Sequence, residues 1–474
     1  MSQKPLAESQ AAAAEPTGAA RRRFLLPLAL AQFICSFAGS NMNVMINDIS
    51  EDLDTDVQGV QLAITSFLLI MAILMIPASK LTDRWGRKRC FMAGLMLYGI
   101  GALLSAVSPS LGVLILGNSV FEGVGTALLI PPVYILTTIA FSNVTSRARA
   151  FGVISGLGGI GAAAGPLIGG FIATAISWRA AFIFQALVIV AIILLSRRMV
   201  DPLPADPTRP FDLFGAILSA VGMFFVVLGI LQADSNLALM AVLVAVGAAF
   251  LIAFFLYIRS QERKGKEPLL STGLFRNRVS NLALATQNAQ WLILLGTSFV
   301  VAVYLQTVRG YNPIETGAIF TAATVGVLVS SLAAERLAKR RAQRTLIVAG
   351  FLVTLAGIGV LIGLVWAWSS VLAFVPGLLL IGLGVGVMLT PSVNVVQSSF
   401  PEELQGEISG LSRSVSNLGS TFGTAIAGTI LLVDLTRGTY ALAMASLAVV
   451  AVLGLLAALK LPANPPPPQA SAPS

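Results

Sequence analysis

Apolar runs long enough to cross a lipid bilayer recur along almost the whole chain. About 18 apolar residues suffice to span the hydrocarbon core as a helix, which satisfies its own backbone hydrogen bonds there. The sequence predicts fourteen spans, numbered in chain order: 24–46, 57–77, 90–108, 111–138, 148–174, 180–196, 212–232, 236–258, 280–306, 315–337, 344–366, 370–392, 405–433 and 438–460. With 56% hydrophobic and 11% charged residues, the composition excludes an ordinary soluble domain. The predicted fold class is an all-α polytopic membrane protein.

The placement of Lys and Arg predicts the orientation, because short cytoplasmic loops are enriched in cations. Of the 30 basic residues, Arg179, Arg309 and Arg437 fall in loops on one side of the membrane, and Arg413 falls within span 13. All the others fall on the opposite side, whereas the loop 47–56 is purely acidic. We therefore expect both termini in the cytoplasm. The net charge of +9 follows from this topology and requires no nucleic-acid partner.

Two long polar connectors divide the chain into parts. They surround spans 7 and 8 and leave six spans on either side, as in transporters built from internal repeats. The predicted parts are a disordered tail at 1–23, a six-helix bundle at 24–196, a linker with inserted spans 7 and 8 at 197–279, a second six-helix bundle at 280–460, and a Pro-rich tail at 461–474.

Charge is concentrated in the loop between spans 2 and 3, residues 79–89, which we call the gate loop. Its sequence, SKLTDRWGRKR, resembles the signature of the major facilitator superfamily, Gly-x-Leu-x-Asp-Arg-x-Gly-Arg-Lys, with Ser79 at the first glycine. The resemblance implies a cytoplasmic gate whose aspartate docks on the N-terminal end of span 13, where the helix dipole favours an anion. The matching residues are Asp83, Arg84, Gly86, Arg87 and Lys88.

Span 5 is similar to the antiporter motif of the same family, Gly-x-x-x-Gly-Pro-x-x-Gly-Gly. Glycines at this spacing let another helix approach closely, although ordinary small-residue packing explains the pattern equally well. The matching residues are Gly161, Gly165, Pro166, Gly169 and Gly170. Further segments are similar, in the same order, to the drug:proton antiporter branch with fourteen helices: 177–185, 211–216, 267–278, 303–311 and 406–430. The resemblance covers the whole chain and implies a major facilitator fold in the plasma (inner) membrane.

The residues that this branch most often uses for proton coupling are absent. Ala38 stands at the aspartate position of span 1, and Ser119 at the arginine position of span 4. Glu122 is the only acidic residue that we place deep in a span. A carboxylate in lipid costs on the order of a few kcal/mol, so such a residue is a functional candidate, and burial favours its protonated form. We expect Glu122 to carry the proton or to balance a cationic substrate; the alternative is a neutral acid bonded between helices.

Polar residues at helical spacing predict a central substrate cavity. Amides beside a large aromatic ring suit a pocket for bulky amphipathic molecules, although interhelical hydrogen bonds explain each residue singly. The predicted cavity residues are Gln32, Ser36 and Asn43 in span 1, Gln287, Gln290 and Trp291 in span 9, Asn394 in span 12 and Asn417 in span 13. Arg413 is expected instead to form an ion pair with Glu407.

Together these features predict a monomeric transporter that exports hydrophobic or cationic small molecules in exchange for protons. One alternative is an exporter or facilitator of a dedicated metabolite or lipid, with weak or no proton coupling. The other is a non-transporting membrane sensor. We find no pattern typical of an enzyme, and the chain contains no histidine. No metal or cofactor is expected.

Overall fold

The computed structural model describes residues 18–141, 144–199, 201, 205, 208, 211–232, 236–338, 341–368, 370–401 and 404–463. Within these residues, fourteen helices are long and apolar enough to cross a membrane. They correspond in order to the predicted spans: α1 Gly18–Asn41, α2 Val57–Trp85, α3 Arg87–Ala106, α4 Leu111–Ala140, α5 Val144–Ala175, α6 Trp178–Ser196, α7 Leu213–Ile230, α8 Leu237–Arg263, α9 Arg278–Val308, α10 Pro313–Ala338, α11 Gln343–Ala367, α12 Phe374–Ser398, α13 Gln405–Leu432 and α14 Arg437–Leu459. The predicted all-α polytopic class is confirmed.

Side-chain caps explain several helix starts. Asp56 accepts a hydrogen bond of 2.7 Å from the backbone N–H of Gly59 at the start of α2. Asp212 does the same for Gly215 at the start of α7, at 2.8 Å. A cap of this kind satisfies one of the backbone donors that a helix leaves free at its first turn. The polar residues between the apolar runs therefore determine where these helices begin.

The first helix begins earlier than predicted. It starts at Gly18, so residues 18–23 are helical and do not belong to the tail that was predicted at 1–23. Residues 1–17 and 464–474, which contain most of the two predicted tails, lie outside the described residues.

The two six-helix halves use the same helix pairings. In the first half α1 packs on α5 and α6, α4 packs on α2 and α3, and α3 packs on α6. In the second half α9 packs on α13 and α14, α12 packs on α10 and α11, and α11 packs on α14. The halves meet through two equivalent contacts, α2 with α13 and α5 with α10. This is the arrangement expected of two internal repeats.

The inserted helices lie beside this pair of bundles. α7 and α8 pack on each other, and α7 also contacts α2 and α13. Asp212, at the start of α7, accepts hydrogen bonds from the Tyr257 hydroxyl at 3.0 Å and from the backbone N–H of Leu269 at 3.1 Å. The polar connector after α8 is thereby anchored to the start of α7.

Candidate functional site

A small cavity of about 30 Å³ lies between the two halves, which in this conformation is room for one or two water molecules. Its walls come from α1, α2 and α4 of the first half and from α9 and α13 of the second. The apolar lining consists of Leu68, Met71, Met75, Ile130, Trp291 and Leu295. The rest of the lining consists of Gln32, Cys35, Ser36, Gly39, Arg413, Asn417 and Ser420. Such a lining combines apolar side chains with a few hydrogen-bonding groups.

Four of the eight predicted cavity residues line this cavity: Gln32, Ser36, Trp291 and Asn417. Gln32 accepts a hydrogen bond of 3.2 Å from the Tyr134 hydroxyl and donates one of 3.1 Å to the Ser36 hydroxyl. Gln32 therefore has a defined orientation that is set by α4 and by the next turn of α1.

Gln287, Gln290 and Asn394 do not line the cavity. Gln287 accepts a hydrogen bond of 2.7 Å from Ser412, and Gln290 accepts one of 3.0 Å from Ser392. These bonds join α9 to α13 and to α12, so both glutamines make the interhelical bonds that the sequence left open as an alternative. Asn394 is half-buried on α12.

Asn43 also lies away from the cavity and joins the two halves. Its side-chain amide donates to the Ser298 hydroxyl at 3.0 Å, and its backbone carbonyl oxygen accepts from the Gln306 side-chain amide at 3.4 Å. These contacts connect the end of α1 to α9. They lie on the membrane face opposite to the gate loop, which we call the opposite face; the gate-loop side is the basic face.

Arg413 lies in the cavity wall, and its predicted ion pair with Glu407 is wrong. Glu407 pairs instead with Lys80, at 2.7 Å between Nζ and Oε1. Six residues correspond to about one and two-thirds helical turns, so Arg413 and Glu407 point to different sides of α13. The sequence does mark Arg413 as a cation inside an apolar span, and such a residue is a functional candidate by default.

The Arg413 side chain reaches across the cavity to the first half. It is 6% exposed, and its guanidinium carbon lies 4.1 Å from the centroid of the Tyr134 ring on α4. Tyr134 is itself stacked on Phe151, with 5.7 Å between ring centroids. A guanidinium stacked on an aromatic face keeps its N–H donors in its own plane. In the described part of the chain, no carboxylate forms a salt bridge with Arg413.

Glu122 is fully buried within the first half and does not line the cavity. It ends a π-helical stretch of α4, Ile115–Glu122, a distortion that often occurs at functional sites. Oε1 lies 3.5 Å from the Ser105 hydroxyl of α3, and Oε2 has no hydrogen-bond partner among the described residues. The carboxyl group therefore sits between α3 and α4, one layer behind the cavity wall.

Two neighbours connect Glu122 with its surroundings. Tyr98 lies beside the carboxyl group, and its hydroxyl donates a hydrogen bond to Gln185 on α6. Cys35 is close to both Tyr98 and Glu122, and it also lines the cavity. A rearrangement of this cluster would therefore reach the cavity through α1.

The two departures from the family pattern occupy buried helix contacts. Ala38 is 3% exposed on α1. The Ser119 hydroxyl donates to the carbonyl oxygen of Ala63 at 2.8 Å, which joins α4 to α2. Neither position places an ionisable group near Glu122.

The glycines of the span 5 motif form two separate contact surfaces on α5. Gly161, Gly165 and Gly169 lie against the backbone of α1, and an added Cβ at Gly161 would overlap the carbonyl oxygen of Phe33. Gly170 faces the other half, where an added Cβ would overlap the carbonyl oxygen of Pro313 on α10. The carbonyl oxygen of Pro166 likewise lies against Gly317 of α10. The motif therefore lets α5 approach α1 within its own half and α10 across the interface.

At the basic face, the gate loop contacts the start of α13. The Ser79 hydroxyl donates to the carbonyl oxygen of Gly406 at 2.5 Å, beside the ion pair between Lys80 and Glu407. Glu407 also accepts a hydrogen bond of 2.8 Å from the backbone N–H of Ser271, in the connector after α8. These contacts lie where the sequence predicts a gate. The side chain of Asp83 lies outside the described residues, so its docking on α13 stays a prediction.

The rest of the gate loop contacts the connector between α6 and α7. The predicted loop is largely helical: α2 runs to Trp85 and α3 begins at Arg87, so of residues 79–89 only Gly86 lies outside a helix. Gly86 has a φ of 95°, a conformation that side chains with a Cβ disfavour. Lys88 donates from its backbone N–H to Asp201 at 3.1 Å and from Nζ to the carbonyl oxygen of Arg197 at 3.0 Å. Arg87 is buried and Arg84 is exposed.

Comparisons with known proteins identify the family. The family model described as Major Facilitator Superfamily matches residues 28–424 and 288–474. The puromycin resistance protein pur8 of Streptomyces alboniger is 29% identical over 86% of this chain and 81% of its own length. The multidrug resistance protein Stp of Mycobacterium tuberculosis is 28% identical over 86% of this chain and 75% of its own length.

A solved structure shows the same fold. The human organic anion transporter MFSD10 aligns with a TM-score of 0.66 and 13% identity, over 92% of this chain and 99% of that chain. The family match, the paired six-helix halves and the fourteen spanning helices agree with one another. The chain belongs to the major facilitator superfamily.

Proposed function

We propose that this protein exports hydrophobic small molecules by alternating access, in exchange for protons. The observation that carries the proposal is the cavity between the two repeated halves, with apolar walls and a few hydrogen-bonding groups. Transporters of this architecture bind substrate near the middle of the membrane, where the halves meet. Relatives named for puromycin resistance and multidrug resistance support export. The protein acts as a monomer in the plasma (inner) membrane, with both termini in the cytoplasm.

Alternating access requires contacts between the halves that break at one face at a time. At the basic face the candidates are the bonds of Ser79 and Lys80 to the start of α13. At the opposite face they are the bond between Asn43 and Ser298 and the bond of 3.0 Å from the Ile314 N–H to the Thr174 hydroxyl. Each is a polar contact of modest strength, about 1 kcal/mol. Either set therefore breaks at small cost when substrate or a proton favours the other state.

Glu122 is the proposed proton carrier. A carboxyl group this far inside an apolar helix is costly unless it has a function, and one of its oxygens has no hydrogen-bond partner within the described chain. Loss or gain of a proton changes the hydrogen bonds that Glu122 offers to Ser105 and Tyr98 on α3. Because Cys35 lines the cavity and lies within electrostatic range of Glu122, α1 is the path by which protonation affects the substrate site.

The proposal is tested in inside-out membrane vesicles with an acid interior. A panel of anionic, neutral and cationic hydrophobic dyes is added, and both dye movement and loss of the proton gradient are followed. The comparison is between wild type, Glu122→Gln and the control Glu51→Gln, which removes an exposed acid at the opposite face. We expect dye-dependent proton release in the wild type and the control, and none in Glu122→Gln. Proton release that persists in Glu122→Gln would exclude Glu122 as the carrier.

A second candidate function is favoured by two observations. Glu122 does not line the cavity, and Ala38 and Ser119 replace the coupling residues of related antiporters. Transport of a dedicated metabolite or lipid without protons is consistent with both facts. Dye or metabolite movement with no proton signal in any of the three proteins would support this candidate and would contradict proton exchange.

A further inference from the structure

We propose that Arg413 and Asn417 bind the anionic group of the transported molecule, so that the substrates are small amphipathic carboxylates. This inference rests on the proposed function, because it names the substrate class of the same cavity. It differs from the expectation of cationic substrates that the sequence suggested.

The described lining of the cavity carries a buried positive charge. Arg413 is the charged member of the described lining, and it is 6% exposed. A buried charge normally has a counter-charge, since desolvation of an unpaired ion is costly. Here the described residues provide the Tyr134 ring but no carboxylate. A cationic substrate would meet a buried like charge, whereas an anionic one would supply the missing partner.

Asn417 provides an independent second donor. It lies one helical turn after Arg413, on the same side of α13, and it lines the same cavity. Its side-chain Nδ2 is buried and has no hydrogen-bond acceptor in the described part of the chain. A buried cation without a carboxylate partner and a buried amide donor without an acceptor, both among the described residues of one helix that line the cavity, form a binding site for acceptor oxygens. A carboxylate fits the site well because guanidinium groups bind it through two parallel bonds.

The remaining lining defines the rest of the molecule. Trp291 and Leu295 on α9 face Leu68, Met71 and Met75 on α2 across the cavity. Methionine and aromatic side chains adapt to apolar bodies of different shapes. The cavity of about 30 Å³ must widen to admit a substrate, and these side chains are the apolar surface that the substrate then meets. The expected substrate therefore has one carboxylate and an apolar ring system.

The test uses three probes that share one ring system: pyrenebutyrate, its methyl ester and pyrenebutylamine. Binding to the purified full-length protein is measured by energy transfer from tryptophan to pyrene. The variants are Arg413→Gln, Arg413→Lys and Asn417→Ala. The control Arg437→Gln removes an exposed cation at the start of α14. Monodispersity and thermal unfolding in detergent verify that each variant is folded.

For the wild type and the control we expect the carboxylate to bind most tightly and the amine most weakly. Arg413→Gln should weaken carboxylate binding about tenfold or more, since bonds to a charged group are the strong ones, and should leave the ester unchanged. The carboxylate affinity of Arg413→Lys should lie between those of the wild type and Arg413→Gln. If Arg413→Gln does not fold, Asn417→Ala provides the same test with a smaller expected loss. Amine binding equal to carboxylate binding, or full carboxylate affinity in Arg413→Gln and Asn417→Ala, would overturn the inference.

Binding and transport measurements distinguish an error in the anion site from an error in the export activity. If the wild type binds pyrenebutyrate through Arg413 but moves none of the probes in vesicles, the site stands and export is wrong. If the wild type exports the amine as well as it exports the carboxylate, and Arg413→Gln exports both equally, export stands and the anion site is wrong.

Discussion

Glu122 and Arg413 are both buried, ionisable and within membrane-spanning helices, but their surroundings differ. Arg413 lines the cavity and reaches from the second half to Tyr134 of the first. Glu122 stays inside the first half, between α3 and α4, where Ser105 is its hydrogen-bond partner. A group in the cavity wall contacts the substrate directly, whereas a group behind it interacts with the substrate only through the packing of α1. If both proposals hold, substrate selection and proton coupling reside in separate places.

The largest expected effect comes from reversing the charge in the cavity. Arg413→Glu should lower the affinity for pyrenebutyrate on the order of a hundredfold and raise that for pyrenebutylamine, because a cation is replaced by an anion at the same place. The same energy-transfer measurement checks this. Arg437→Glu, at the exposed start of α14, is the matched control. If Arg413→Glu still bound pyrenebutyrate more tightly than pyrenebutylamine, Arg413 would not select the substrate. The proposed division of roles between Arg413 and Glu122 would then be contradicted.

Removal of the buried carboxyl group should affect coupling and leave binding nearly unchanged. We expect Glu122→Gln to abolish the pH dependence of transport, since it removes the proposed proton carrier. Affinity for pyrenebutyrate should change by less than about threefold, because Glu122 does not line the cavity and residues that are not in direct contact contribute nearly independently. Transport and binding are measured across a pH series in the same vesicle preparation. A large loss of affinity would mean that Glu122 belongs to the substrate site.

The glycine surface of α5 allows a test of how tightly α5 must pack on α1 within the first half. Gly161→Ala places a methyl group against the Phe33 carbonyl oxygen, and we expect it to destabilise the protein by roughly 1–3 kcal/mol, as overpacking does. Gly156→Ala is the control, because an added Cβ there meets no atom within 4 Å. Thermal unfolding in detergent should separate the two variants. Equal stability would show that α5 and α1 adjust without cost.

The smallest expected effect comes from the ion pair at the basic face. Lys80→Gln removes the partner of Glu407, and an ion pair of this kind contributes about 1 kcal/mol or less. We expect the equilibrium between the two access states to shift by at most about fivefold. The measurement is the rate at which Ser420→Cys, in the cavity wall, is labelled from each membrane face. Lys460→Gln, an exposed cation after α14, should leave these rates unchanged.

The fold was predictable from the sequence because each span carries its own signal. A run of apolar residues forms a helix in lipid whatever its neighbours are, so all fourteen spans were found. The start of α1 was missed because residues 18–23 are small or basic, and the hydropathy of such residues does not distinguish a tail from a first helical turn. Boundaries of this kind depend on the surrounding structure.

The site was less predictable because it depends on which helix faces which. Gln32 and Gln287 both lie on polar stripes, but Gln32 borders the cavity and Gln287 bonds to Ser412. A side-chain amide can line a cavity or form an interhelical hydrogen bond, and the sequence does not show which residue lies next to it in the fold. Arg413 was assigned to Glu407 because the two are close in sequence, although their directions on α13 differ. Its true partner, the Tyr134 ring, belongs to the other half.

The most direct test of separate selection and coupling is a crossed comparison of Arg413→Gln and Glu122→Gln. Pyrenebutyrate and its methyl ester are followed in vesicles, and proton release is recorded for each. The account predicts that Arg413→Gln loses the preference for the carboxylate but keeps proton release with the ester. It predicts that Glu122→Gln keeps that preference and loses proton release. Loss of the same property in both variants would contradict the account, because the two residues would then act as one site.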